Sequence, residues 1–590
     1  MNLDLFLSPR KNKNLGFILD FFSCVIIILV LNKTITPAFD IKESFTSTDG
    51  VINHLWISSP LILLYLLMRT LRTPSLFALF INVIAILLLN YINITKTALT
   101  GEPLSFNDLS SGVNISITAK YINYKSILIA LLLGLISVVI FVFGRKIKTT
   151  INNYIIIVIA LLLITPFTFA SYFPVILGDN NSITEKFNAL EKKYNVTYLS
   201  WDWQKNAIVN GLPMHLIQTS ARKSIPTASA IERKEFSNNK IITPATLSKK
   251  PKNIIYILCE SCWYNNDHFK EYFQPLLNAG FKAFRATSPV YGGGTANAEF
   301  EMLTGLPSNS GVLSGIIYQE YASLMKDNSN TLPKMLHDEG YETIAAHNYG
   351  GKFWRRDEVY KKFGFDKFLS LSDMGELPQE YSLQRKFGTW PPDDFLLYRT
   401  VLNEIRNNKD KKIFFNLITM STHGPFQHEN DSGEGMYTQK LHESMTRLSW
   451  FTSELSKIDP DAIILVYGDH KPALNRFFYE NKVFPAGTFM KTGKEDNDFL
   501  FKKEATPADY GDVPVFIKSS NEALVNNVIL ASNGKPFFCV SSIFDNNFIQ
   551  SGLFSFNYNI EHGCLAQQPY DYKKMTTFTP PWIYALSLFE

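Results

Sequence analysis

Cysteine is scarce in this chain: 590 residues hold five, too few for a disulfide-dense scaffold. An excess of one charge is also missing. Lys and Arg number 57 against 53 Asp and Glu, a formal net charge of +4. Nucleic-acid binders usually show a concentrated basic excess, so no nucleic-acid partner is expected. Mean hydropathy is −0.01, but that average covers two unlike parts. Long apolar runs fill the chain up to residue 177, and the remainder reads as an ordinary polar globular sequence. A chain of this length predicts several domains. Neither a wholly soluble enzyme nor a transporter alone fits.

Five apolar segments stand out, at 15–33, 54–70, 74–94, 126–144 and 153–177. Each is long enough to cross roughly 30 Å of hydrocarbon as a helix. The first is not read as a signal peptide, because its run is long, no A-x-A-like site follows and four more segments come after it. Arg10, Lys11 and Lys13 precede the first segment, Arg69 and Arg72 separate the second and third, and Arg145, Lys146 and Lys148 separate the fourth and fifth. The positive-inside rule then puts the N-terminus in the cytoplasm. With an odd number of spans, everything beyond 178 lies outside it. A domain there has no ATP supply, so its chemistry must draw on donors found at the membrane. Asp20 reads as an interfacial residue of the first segment.

Residues 179–252 read as a linker, with surface helices at 184–194 and 203–222 and a Ser/Thr/Pro/Lys-rich tether at 223–252 that ends near Lys249 and Lys250. From Asn253 the pattern changes. Short β-branched and aromatic runs at 253–258, 342–346, 412–418, 462–467 and 513–518 alternate with helical stretches. One such helix, 331–339, has Thr331 as N-cap, Pro333 in its first turn and Gly340 as stop, and another covers 437–457. The alternation predicts an α/β fold with a mostly parallel central sheet. The expected organisation is a five-span transmembrane domain at 1–178, the linker at 179–252 and an extracytoplasmic catalytic domain at 253–590.

Polar residues follow four of these strands. Glu260 follows the first, His347 and Asn348 the second, Thr419 to His423 the third, and Asp469 and His470 the fourth. In open α/β sheets ligands bind at the carboxyl edge of the strands. Each residue alone could be structural, but four converging sets assemble a cation site with histidines beside it. Glu260, Asp469 and His470 make a mixed oxygen and nitrogen set that suits Zn²⁺ or Mn²⁺. His54, His215, His268, His337, His428, His442 and His562 read as structural.

A nucleophile candidate lies in YGGGTANAEFEML, residues 291–303. Three glycines let the backbone approach an anion. A hydroxyl on Thr295, at a helix N-terminus, would face free N–H groups and the positive end of the dipole. The bland alternative is a glycine turn with Thr295 as a plain N-cap. Cys24 reads as apolar packing. Cys539 and Cys564 could pair in an oxidising compartment, and Cys259 and Cys262 could form a local disulfide; a thioredoxin-like role for that CxxC is disfavoured because Glu260 interrupts it.

Taken together, the ordered segments NIIYILCES, GGGTANAEFEMLTGLP, AAHNYGGKFWRRDEVYKKFGFD, TMSTHGPF and VYGDHKP resemble the alkaline-phosphatase/sulfatase superfamily. Within it they are closest to the lipoteichoic-acid synthase and phosphoglycerol transferase family. GEPLSFNDL at 101–109 is similar to a loop of that family. The resemblance implies an alkaline-phosphatase-like (sulfatase) domain and one divalent metal ion, Mn²⁺ or Zn²⁺ with Mg²⁺ as a further option. It implies Glu260, Thr295, Asp469 and His470 as metal ligands, Thr295 also as nucleophile, and His347, Trp354, Arg356 and His423 as substrate-binding residues, with Arg356 as a bidentate phosphate clamp.

The implied reaction moves a phospho-alcohol headgroup, glycerol phosphate or phosphoethanolamine, from phosphatidylglycerol or phosphatidylethanolamine to an envelope glycan or glycolipid. The implied setting is the bacterial inner membrane with the catalytic domain periplasmic or extracellular. The competing assignment is a phosphoethanolamine transferase acting on lipopolysaccharide core sugars or lipid A. A sulfatase-type hydrolase needs Cys or Ser where Thr295 stands, and a non-catalytic envelope protein would not retain the full Glu/Thr/Asp/His set. Residues 520–590 match no segment of the family.

Overall fold

The computed structural model describes residues 13–35, 47–100, 103–110, 124–144, 151–178, 181–199, 203–221, 225–238, 250–426, 432–491, 499–501, 505–566 and 571–590. Arg10, Lys11, Arg145, Lys146, Lys148, Lys249 and His428 lie outside them. The chain forms two compact units, Met1–Lys96 with Glu102–Lys223, and Thr97–Gly101 with Ser224–Glu590.

All five apolar segments are helical in the first unit. Among the described residues, one unbroken helix, Ser75–Thr97, is long and apolar enough to cross a membrane. Two bent pairs, Thr48–Ile57 with Ser59–Thr70 and Tyr154–Thr168 with Ala170–Leu177, would raise the number to three. Asp20–Asn32 and Leu132–Phe143 are shorter apolar helices. Proline accounts for the first break, since Pro60 at the start of Ser59–Thr70 has no N–H to continue the preceding helix. Asp20 accepts a hydrogen bond from Ser75. The expected helix at 203–222 is two helices, Trp203–Val209 and Leu212–Ala221. Gly211 between them has φ +72°, a left-handed conformation that ends the first. The tether also contains an unforeseen helix, Ala230–Ser237, with a capping box from Ser229 and Glu232.

Among the described residues, the second unit is built on ten strands: β1 (Asn253–Cys259), β2 (Lys282–Thr287), β3 (Tyr341–His347), β4 (Lys367–Leu369), β5 (Lys412–Ile418), β6 (Ile463–Gly468), β7 (Phe489–Lys491), β8 (Phe499–Phe501), β9 (Asp512–Lys518) and β10 (Lys535–Pro536). Eight of them form one sheet in the order β10-β2-β9-β6-β1-β5-β3-β4, and β7 pairs with β8. The sheet is mixed. β9 runs antiparallel to both β2 and β6, whereas β6, β1, β5, β3 and β4 pair in parallel. β1 is buried along its whole length, as its unbroken apolar run requires in mid-sheet.

Register decides where the site lies. Cys259 is opposite Gly468, Leu258 is opposite Ile418, and Ile418 is opposite His347. The residues that follow β1, β5 and β6, together with the last residue of β3, therefore leave the sheet side by side. Residues 520–590 fold onto this unit. The fully buried helix Phe537–Phe544 packs beside the helix Thr295–Thr304, with Ser541 Oγ donating to Glu301 O at 3.3 Å. Asn559 Nδ2 donates to Gly305 O at 2.7 Å, and Tyr584 OH to Pro307 O at 2.7 Å. The C-terminal segment thus clasps the far end of the helix that begins at Thr295. A disulfide, Cys539–Cys564, ties it together.

Candidate metal centre and nucleophile

Glu260, Asp469 and His470 converge in the second unit, each buried, with ligand atoms within 4.8 Å of one another. β1 ends in a tight turn that carries Glu260, and a second disulfide, Cys259–Cys262, closes it. Ser261 in the turn has φ +52°. Its hydroxyl donates to Glu260 Oε1 at 2.9 Å and its N–H to Asp469 Oδ1 at 2.7 Å. Gly468, the last residue of β6, has no room for a side chain, because a Cβ there would lie 2.1 Å from the carbonyl oxygen of Cys262. The two ligand-bearing turns touch backbone to backbone.

Thr295 opens the helix Thr295–Thr304, and its N-cap is Gly294 at φ +80°. A Cβ at Gly294 would also press on Val290 Cγ1 at 3.0 Å. The Thr295 hydroxyl does not cap its own helix. It donates instead to Glu260 Oε2 at 3.3 Å, which separates it from the plain N-cap alternative.

The donor set fits a small divalent ion. His470 Nε2 lies 3.2 Å from Asp469 Oδ2 and 3.5 Å from Glu260 Oε1. A tetrahedral ion with arms of about 2.0–2.1 Å separates its ligands by about 3.3–3.4 Å. Asp469 Oδ2 and His470 Nε2 are both buried with no hydrogen-bond partner, the condition a bound cation relieves. Burial, reinforced by the neighbouring Glu260, pushes the Asp469 carboxyl well above the usual carboxylate range. Burial also pushes Glu260 upward, but the His470 and His423 imidazoles and the Ser261 and Thr295 hydroxyls outweigh it and bring the group down.

The three histidines at this edge share one tautomer. His470 Nδ1 faces Lys471 O at 2.9 Å, His347 Nδ1 faces Ile418 O at 3.0 Å, and His423 Nδ1 faces Gly424 O at 2.8 Å. A carbonyl oxygen only accepts, so each Nδ1 carries the proton and each Nε2 carries the lone pair. Burial lowers all three pKa values, against the upward pull of the Glu260 carboxylate on His423 and His470.

Arg356 and Trp354 are placed differently from the sequence expectation. The Arg356 guanidinium is buried and bonds to Glu299 through Nε, at 3.0 Å, and Nη2. Tyr360 donates to the same carboxylate. The fork expected to clamp phosphate is therefore closed on Glu299, leaving Nη1 buried and without a partner. Trp354 is half-buried at φ +56°, with its ring 4.9 Å from Phe353. Among the described residues no hydrogen bond or ring contact joins it to the metal donors.

Asp394 escaped sequence reasoning. It is fully buried. Its Oδ1 accepts from Met420 N at 2.8 Å, Ser421 N at 3.0 Å and Asn348 Nδ2 at 3.0 Å, and its Oδ2 from Ser444 Oγ at 3.1 Å. One carboxylate thus holds the loop that presents His423 and the residue after His347. That loop in turn holds Glu260, whose N–H donates to Thr419 Oγ1 at 3.0 Å and whose carbonyl accepts from Thr422. The adjacent acidic pair in PPDDF was the available signal, since a charged pair beside two prolines at a helix start often caps or anchors a turn.

Residues 252–533 match the sulfatase family model. A putative cyclic beta-1,2-glucan modification protein of Rhizobium meliloti is 27% identical over 338 residues, covering 53% of this chain and 50% of that protein. A lipoteichoic acid synthase of Staphylococcus saprophyticus is 32% identical over 253 residues, covering 38% of this chain and 36% of that protein. The chain spans half or less of the length of these curated relatives. Among solved structures, the Streptococcus pyogenes phosphoglycerol transferase GacH in complex with sn-glycerol-1-phosphate is similar at 19% identity, covering 57% of this chain and 92% of that one, with a TM-score of 0.35. The second unit therefore carries a sulfatase-family domain with lipoteichoic acid synthases among its relatives.

Proposed function

We propose that this sulfatase-domain protein is a membrane-bound transferase that moves a phospho-alcohol headgroup, glycerol phosphate or phosphoethanolamine, from a phospholipid to an envelope glycan or glycolipid. The observation that carries the reading is the buried cluster in which the Thr295 hydroxyl meets Glu260 beside Asp469 and His470. The apolar helices of the first unit suit an enzyme whose donor is a lipid, and relatives named for glucan modification and lipoteichoic acid synthesis support an envelope acceptor.

Glu260, Asp469, His470 and Thr295 would hold one divalent cation, Mn²⁺, Zn²⁺ or Mg²⁺. When bound, it supplies Lewis-acid charge that lowers the threonine hydroxyl pKa and neutralises phosphoryl oxygens. Thr295 Oγ1 attacks phosphorus, the bond to diacylglycerol oxygen breaks, and the proton lost from Thr295 is balanced by the one taken up on diacylglycerol. The free N–H groups at the start of Thr295–Thr304 face the phosphoryl oxygens. In the second step His423 Nε2, carrying its lone pair, accepts the proton of the incoming hydroxyl. His347 borders the phosphate, Arg356 contributes through Nη1, and Trp354 covers the small headgroup. The test supplies the full-length protein with vesicles containing labelled phosphatidylglycerol or phosphatidylethanolamine. Headgroup release that a chelator abolishes and Mn²⁺ or Zn²⁺ restores, and that Asp469→Asn loses, is expected. Release from neither lipid would sink the proposal.

A further inference from the structure

Glu299 takes the edge of Arg356 that was expected to meet phosphate. Arg356 Nε donates to Glu299 Oε1 at 3.0 Å, Nη2 donates to the same oxygen, and Tyr360 donates to Oε2. Glu299 and Tyr360 are closed to solvent, and Arg356 is 1% exposed. Arg356 and Tyr360 stand one turn apart on the helix Arg356–Lys362, so both reach one carboxylate.

The pair is tied to the nucleophile. Glu299 lies four residues after Thr295 on Thr295–Thr304, so the two side chains share a helix face one turn apart. The carboxylate that holds Arg356 therefore rides on the same element as the Thr295 hydroxyl. The chain also enters the helix Arg356–Lys362 through two successive left-handed residues, Trp354 and Arg355, both at φ +56°. Strain of this kind persists where the surroundings fix it, and the buried fork onto Glu299 is one such restraint.

Pairing also sets the charge that a substrate meets. An arginine alone offers phosphate a full positive charge. Here the Glu299 carboxylate offsets it at 3.0 Å, in a buried setting that solvent screens little. What Arg356 retains is Nη1, buried and without a hydrogen-bond partner: a donor with no net charge behind it. Such a donor suits an oxyanion with a single charge. A phosphodiester carries one, whereas a phosphomonoester carries nearly two at pH 8, because its second pKa is about 6. That second charge would meet the Glu299 carboxylate one turn from Thr295, and like charges in a buried site repel.

We propose that Glu299 is a specificity-determining residue, which by pairing with Arg356 makes the site at Thr295 select singly charged phosphodiesters over doubly charged phosphomonoesters. The proposal deepens the transferase reading above and rests on it. A phospholipid donor is a phosphodiester, and so is the headgroup ester on Thr295, so both steps present the same single charge.

The experiment uses the full-length protein supplied with Mn²⁺ and two soluble probes that share a leaving group, ethyl 4-nitrophenyl phosphate and 4-nitrophenyl phosphate, at pH 8. kcat/KM is measured for each, beside headgroup release from labelled vesicles. Glu299→Gln keeps an oxygen for Nε and Nη2, and its amide can donate to the Tyr360 hydroxyl, but the charge is gone. It should lower the diester-to-monoester ratio by about tenfold or more. Glu299→Asp keeps the charge on a shorter arm, so kcat should fall on both probes while the ratio holds. The double variant Glu299→Gln/Arg356→Gln buries no charge and should also hold the ratio, which keeps the test valid if Glu299→Gln misfolds. A purely structural role would lower both probes equally in every variant. An unchanged ratio in Glu299→Gln would overturn the proposal, as would a tenfold shift in Glu299→Asp or in the double variant. Absence of headgroup release from vesicles, with the soluble diester still cleaved, is a separate result that overturns the transferase reading alone. Cleavage of neither probe overturns both.

Discussion

Asp394 offers the sharpest test of how the catalytic edge is held. Asp394→Ala leaves four donors without an acceptor, two backbone N–H groups, one amide and one hydroxyl, all at a fully buried position. Each unsatisfied buried group costs about 1–3 kcal/mol, and water entry relieves part of that, so a net loss of about 3–5 kcal/mol is expected. The loop carrying His423 should then drift, and a misplacement of about 1 Å in a catalytic group lowers the rate by about 100-fold. Asp394→Asn should be far milder. Its Oδ1 can still accept from Met420, Ser421 and Asn348, while its new amide donates to Ser444 Oγ, a hydroxyl able to accept. Burial already pushes the Asp394 carboxyl above its ordinary range, so loss of the charge is tolerated. A loss of about 1 kcal/mol is expected for Asn. The assay is headgroup release from labelled vesicles, with metal affinity measured alongside. kcat should fall about 100-fold in Ala and less than tenfold in Asn. Full activity in Asp394→Ala would refute the reasoning, and so would equal damage in both variants, which would make charge rather than hydrogen-bond geometry the cause.

Gly468→Ala should place a Cβ 2.1 Å from Cys262 O and drive the two ligand-bearing turns apart, at a cost of about 1–3 kcal/mol and a tenfold or larger loss of metal affinity in a competition titration. Glu301→Gln should stabilise the catalytic unit at pH 8. Burial raises Glu301 from 4.5 to about 7, so the folded state keeps a proton that the unfolded state releases. The associated stability is fully present below about pH 4.5 and lost as pH rises to about 7. The advantage of Gln should therefore grow across that window to roughly 3 kcal/mol, read from unfolding midpoints at pH 5 and pH 8. Glu299→Ala should strand the buried Arg356 guanidinium and cost about 3–5 kcal/mol in the same unfolding assay.

The strands that carry the site were readable because each is an apolar run ended by a charged or imidazole residue. β1, β3, β5 and β6 agree with their expected ranges to within a residue. β2 was missed because KAFRAT alternates half-exposed and buried positions and contains two cations. β10 has two residues and pairs only at Ala286 and Thr287, too short for any periodicity. Glu299 read as part of a plain helix, since its partner Arg356 lies 57 positions away and no local pattern joins them. Glu260, Asp469 and His470, which the structure brings together, were legible for the opposite reason: each follows a strand at a chain reversal, where a polar residue has a local cause. The helix expected at 203–222 failed at Gly211, whose left-handed backbone outweighs the propensity of its neighbours.

The central claim is that Thr295 carries the headgroup between donor and acceptor. The most direct measurement is the mass of the Thr295 peptide after the full-length protein is incubated with phosphatidylglycerol or phosphatidylethanolamine and quenched before acceptor is added. The account predicts an adduct of glycerol phosphate or of phosphoethanolamine on that peptide, absent in Thr295→Ala. An unmodified peptide together with full transfer activity in Thr295→Ala would contradict it.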